Sequence, residues 1–212
     1  MDANGIETDV QETADSRLVL FHDKTIERIT GLKGAIKDYT YEELLQMDFG
    51  IYKGEKYKKE PIVLFEEFLK CFSGKDLAFA IELKADGIEK NVLKAIEKYH
   101  CKNKVIVTSF SLLQLTNIRN FDKEIRLGFL TSDSGKELID DLSIKGIMQY
   151  CPKVTVLDAD IIAYARQKGL SIRAWGIADE NDMRAALSHD IDGMTINFPD
   201  KLAGEIRKTL ND

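Results

Sequence analysis

The chain has 212 residues, 44% of them hydrophobic, enough for one globular domain with a sizeable core. Its net charge of −6 argues against a nucleic-acid surface, which needs a basic face to meet phosphates. No apolar run approaches the roughly 20 residues that cross a bilayer, and no leader peptide is visible, so the cytoplasm is the default compartment.

Along the chain, short apolar, β-branched segments alternate with amphipathic ones. Strands are predicted near 5–10, 18–22, 77–83, 105–110, 125–130, 147–150, 171–177 and 193–197. Helices are predicted over 62–72, 87–99, 111–120, 134–142, 158–168, 179–188 and 200–210. Ser111 and Asp179 suit helix N-caps, and Gly169 stands where a helix should stop. Such alternation is the pattern of a parallel sheet with helices outside it. No Pro/Gly/Ser-rich linker divides the chain, so residues 1–212 read as a single domain.

Residues 24–61 break the rhythm. They are polar and glycine-dotted, and their one clear element is a short helix at 40–47, opened by Thr40 and Glu43 in capping-box spacing. A connection this long in a compact α/β domain is more often a functional insertion than a disordered loop. The cysteines Cys71, Cys101 and Cys151 show neither metal-ligand spacing nor a disulfide framework, and read as buried free thiols in a reducing compartment.

The chemistry-bearing residues gather early. Side chains two apart on a strand share a face, so Glu7 projects with Asp9 in GIETDV, and Glu82 with Lys84 in AIELK. Three carboxylates brought together need a cation or a proton to relieve their repulsion, and all-oxygen ligands favour Mg²⁺ or Ca²⁺ over zinc. The alternative is that each acid pairs with a neighbouring lysine or arginine. His22, at the end of LVLFHD, is either a catalyst or an ordinary surface histidine. His100 and His189 both follow helix ends. Trp175, the sole tryptophan, is either core or a pocket wall.

Here the pattern becomes specific. The run GIETDVQETADSRLVLFHDKTIERITGLKG resembles the glycerophosphodiester phosphodiesterase family, with its E-x-D pair (Glu7, Asp9), its F-H-D (Phe21, His22, Asp23) and its T-x-x-R-x-T-x-x-x-G (Thr25, Arg28, Thr30, Gly34). The likeness continues through EPIVLFEEFL, AIELK, TSFSLLQL, LGFL, RAWGI and DGMTINFPD, over the whole chain. The resemblance implies a TIM-type (β/α)₈ barrel whose 24–61 segment is an insertion after the second barrel strand, lying over the mouth. It implies metal-dependent hydrolysis of a small-molecule glycerophosphodiester to glycerol 3-phosphate and an alcohol. Glu7, Asp9 and Glu82 would hold Mg²⁺ or Ca²⁺, His22 would act as general acid, Lys84 would lie near the phosphate, and Trp175 would line the glycerol side.

One part of the family pattern is not found. The first barrel strand ending in H-R-G and the following P-E-N-T have no counterpart, so the chain is expected to begin one βα unit late, with seven barrel positions. That expectation carries two others. Strands 5–10 and 193–197 would be open edges, inviting pairing with a second copy. Catalysis would be severely impaired without the first histidine and arginine, and the alternative is a non-catalytic protein that binds a metal or a phosphate ligand. Smaller departures are Gly176, where threonine usually follows the tryptophan, and Asn197 in the last strand.

Overall fold

A computed structural model describes residues 3–209 of the chain. They form two compact units, one spanning Glu7–Val105, the other running from Ile106 onward together with the residues up to Ile6.

In the first unit, strands lie in the order β2 (Leu18–Leu20), β1 (Gly5–Glu12), β3 (Ala78–Leu83). β1 and β2 form an antiparallel ribbon pairing Val10 with Leu20, Gln11 with Val19 and Glu12 with Leu18. The Lys84 amide just past β3 donates to the Val10 carbonyl at 3.0 Å. This corrects the expectation that 5–10 is an open edge: over Val10–Glu12, β1 is covered by β2.

Helix α3 (Phe65–Phe72) buries Phe65, Phe68 and Leu69, the i, i+3, i+4 stripe of an amphipathic helix, and Phe68 meets Phe79 of β3 edge-on with centroids 5.6 Å apart. Helix α4 (Glu89–Lys98) does the same with Val92, Ala95 and Ile96. Residues 62–64, predicted helical, are extended instead, because Leu64 bridges Val19 and Leu20 donates to the Val63 carbonyl at 2.9 Å.

The 24–61 segment holds more structure than its polarity suggests. It contains helix α1 (Glu27–Thr30), helix α2 (Tyr41–Leu44) and 3₁₀ turns at Ile36–Asp38, Ile51–Lys53 and Glu55–Tyr57. Thr40 and Glu43 close the expected capping box, the Thr40 amide donating to Glu43 Oε2 at 2.8 Å. Ile26, Ile29, Ile36 and Leu44 join Val19, Phe21 and Ile62 in a buried cluster, against which Tyr39, Met47 and Phe49 pack. The insertion therefore has an apolar core of its own.

In the second unit, β4 (Val105–Ser109), β5 (Arg126–Thr131), β6 (Gln149–Pro152), β7 (Ser171–Ala174) and β8 (Gly193–Met194) follow one another in the sheet, each parallel to the next. Between and after them run α5 (Leu112–Phe121), α6 (Lys136–Ile144), α7 (Ala159–Gln167), α8 (Glu180–Leu187) and α9 (Pro199–Thr209). The expected caps form: the Ser111 and Asp179 side chains accept amides of their first turns, and Gly169 follows α7 at φ +80°. β8 is shorter than the predicted 193–197.

Cys101 and Cys151 are buried as expected, whereas Cys71 is exposed on α3. No helix among the described residues is long and apolar enough to cross a membrane.

Candidate metal and catalytic site

The strand period does the first work. Glu7 and Asp9 share one face of β1, and Glu82 stands on the neighbouring β3. Each offers a carboxylate oxygen to a group whose atoms all lie within 4.8 Å of one another. Glu82 is 6% exposed, deep for a carboxylate.

Lys84 Nζ lies 2.5 Å from Glu82 Oε1 and 3.4 Å from Asp9 Oδ1. The alternative reading of the acids, pairing with a lysine, is thus partly realised for Asp9 and Glu82. Lys84 does not satisfy them fully: Asp9 Oδ1 and Glu82 Oε1 are buried and lack an aligned hydrogen bond. Burial raises the Glu82 carboxyl above its ordinary pKa, outweighing the hydrogen bond and charge of Lys84. For the Lys84 ammonium, burial pulls downward, but the hydrogen bond and charge of Glu82 together with Asp9 win, and its pKa rises. Two under-coordinated buried oxygens in an all-oxygen donor set fit a hard divalent cation.

His22 lies two residues beyond β2, its side chain 69% exposed, with Nδ1 2.8 Å from Asp23 Oδ1. Arg28 clamps the same carboxylate, Nε to Oδ2 at 2.6 Å and Nη2 to Oδ1 at 3.1 Å. The Arg28 hydrogen bond, aided by His22, holds the Asp23 carboxyl down at about 2 despite partial burial. Asp23 is therefore ionised at neutral pH and favours the His22 tautomer with its proton on Nδ1. The segment is moored beside the acids, since the Phe21 amide donates to the Asp9 carbonyl at 3.1 Å.

Two participants escaped the sequence reading. Gln11, on the Glu7/Asp9 face of β1, donates to the carbonyls of Phe21 and Asp23. Arg28 was noted only as a motif letter. Period-two counting from Asp9 would have found Gln11; nothing local marks the Arg28–Asp23 contact.

Trp175 belongs to the second unit. Its Nε1 donates to the carbonyls of Thr131 at 3.2 Å and Cys151 at 3.1 Å, and its ring meets Phe110 at right angles, centroids 5.0 Å apart. Lys153 Nζ stands 5.9 Å from the ring centre.

Comparison with known proteins agrees with this constellation. A protein of Bacillus altitudinis named glycerophosphodiester phosphodiesterase is 32% identical over 218 residues, covering 98% of this chain and 88% of its own. One of the same name from Caldanaerobacter subterraneus subsp. tengcongensis is 29% identical, covering 97% and 87%. Among solved structures, an Oleispira antarctica phosphodiesterase in complex with the product sn-glycerol-3-phosphate superposes with TM-score 0.90 at 22% identity, over 97% of this chain and 86% of that one. That likeness assigns the α/β fold. Residues 1–201 match the Glycerophosphoryl diester phosphodiesterase family, and the chain belongs to that family.

Proposed function

We propose that this chain hydrolyses glycerophosphodiesters to glycerol 3-phosphate and an alcohol, using Mg²⁺ or Ca²⁺ held by Glu7, Asp9 and Glu82. The observation that carries the reading is the joining of two groups in one unit: three converging carboxylates, and a His22–Asp23 pair tied to Asp9 through the Phe21 amide. Family membership and the product bound by the Oleispira antarctica relative support the substrate class.

When bound, the cation would polarise a phosphoryl oxygen and offset its developing charge. The protein's own groups do the rest. Asp23 takes the Nδ1 proton of His22, leaving Nε2 to protonate the departing alkoxide as the phosphorus–oxygen bond to the alcohol breaks. Ionised Asp23, held by Arg28, also stabilises the imidazolium that must stand ready for that transfer. Lys84, on a flexible stem, can exchange a carboxylate partner for a phosphate oxygen. Trp175 lines the glycerol side of the substrate.

A route needing two imidazoles, as the resemblance implies, has only His22 of that pair within these 212 residues. The 212-residue chain is accordingly expected to turn over slowly. Release of glycerol 3-phosphate from glycerophosphocholine, with Mg²⁺ or Ca²⁺ and with chelator, tests the proposal. The expected result is slow, cation-dependent release, reduced about a hundredfold or more by His22→Ala and abolished by Glu82→Gln. Release indifferent to both chelator and His22→Ala contradicts it. Cation binding with no hydrolysis at all would favour the non-catalytic alternative.

A further inference from the structure

Gln11 is 8% exposed, and its side-chain amide is spent on backbone rather than on another side chain. Nε2 donates to the Phe21 carbonyl at 2.9 Å and to the Asp23 carbonyl at 2.8 Å. These are the carbonyls on either side of His22. A carbonyl oxygen only accepts, so two such partners also fix which end of the amide is nitrogen. Both amide protons are used, and the segment that carries the imidazole is gripped on both flanks.

The geometry points to Gln11 as the positioning residue for His22. Residues 7, 9 and 11 alternate onto one face of β1, so a single strand presents two of the acids and, one step on, the clamp on the histidine segment. Three ties converge there: the paired backbones of Gln11 and Val19, the Phe21 amide on the Asp9 carbonyl at 3.1 Å, and the Gln11 amide. The last also explains why β2 stops at Leu20. The carbonyls beyond it are satisfied by a side chain instead of a strand partner, freeing residues 21–23 to turn. Without the Gln11 donors, two carbonyls lose their partners and the turn is free to relax. The His22 ring is exposed and has few packing contacts to hold it, so its placement depends on its backbone and on the Asp23 contact.

The functional part of this inference rests on His22 acting as general acid; the positional part does not. The test therefore has two independent readouts. The first is the carbon-attached ring proton signals of the three histidines in the full chain and in Gln11→Leu. The expected result is broadened or doubled His22 signals in Gln11→Leu, with His100 and His189 unchanged. Unchanged His22 signals overturn the inference whatever the activity. The second is the rate ratio between a choline diester and a p-nitrophenyl diester, whose good leaving group needs little protonation. Gln11→Leu and His22→Ala should both slow the choline diester at least tenfold more than the nitrophenyl one. Selectivity in His22→Ala alone overturns the role of Gln11. Equal slowing of both substrates by His22→Ala overturns the general-acid reading and leaves the positional result standing.

Discussion

Lys84 Nζ lies 2.5 Å from Glu82 Oε1, two residues along the same chain segment. A lysine that is 21% exposed thus supplies the positive charge for acids that are 8% and 15% exposed. Breaking such a pair by removing one partner leaves buried charge uncompensated, at a cost of about 3 kcal/mol. Lys84→Met should lower the melting temperature clearly in chelator and regain most of the loss in saturating Mg²⁺ or Ca²⁺. Equal melting temperatures with and without cation would show that Lys84 and the cation do not answer the same charge.

Glu82→Gln tests the acids from the other side. It is isosteric, removes one of the like charges and leaves Lys84 near Asp9. In chelator it should be neutral or mildly stabilising. The wild-type chain at a cation concentration a hundredfold above its dissociation constant should gain about 2.7 kcal/mol, whereas Glu82→Gln should gain little. Thermal denaturation of both proteins with and without cation reads the difference.

Asp23 gives the pH dependence. Its folded pKa, at about 2, lies below the ordinary 3.8. The carboxylate therefore contributes stability that is full above roughly pH 4 and is lost as pH falls through 2. Arg28 is 62% exposed, so screening limits the contribution to about 1 kcal/mol. Asp23→Asn should be destabilised by that amount at pH 7, and the gap should close as pH is lowered from 4 toward 2. Urea denaturation across that range reads it, and a gap independent of pH would remove the Arg28 bridge as its cause.

The insertion's own core predicts a contrast between two leucines. Leu44 is fully buried, whereas Leu32 is 48% exposed. Leu44→Ala should cost about 2–5 kcal/mol, and Leu32→Ala should stay within about 0.5. Similar small effects from both would mean that residues 24–61 do not pack as a unit.

What the sequence made legible, and what it hid, follows from the range of each interaction. The acids were readable because strand alternation is strictly local: Glu7, Asp9 and Glu82 needed only period two and a shared motif. The caps at Ser111, Asp158 and Asp179 are equally local. The core of 24–61 was not readable, because Ile26, Ile29, Ile36, Leu44 and Ile62 follow no helical or strand period and meet only through turns. Element ends were missed where a backbone group found a partner outside its ladder. Ile147 looks like strand, yet its amide donates to the Leu142 carbonyl at 2.9 Å and finishes α6, so β6 begins at Gln149. β7 ends at Ala174, and the chain turns at Gly176, φ +74°. Gln11 was hidden for a different reason. A glutamine on a strand carries no signature until the carbonyls it reaches are known.

Isothermal titration of Ca²⁺ and Mg²⁺ into the chelator-treated chain, beside Asp9→Asn, tests most directly whether Glu7, Asp9 and Glu82 form one cation site. A single saturable site in the wild type, lost or weakened at least tenfold in Asp9→Asn, is the predicted result. No heat of binding in the wild type, or a site of the same affinity in Asp9→Asn, would contradict the account.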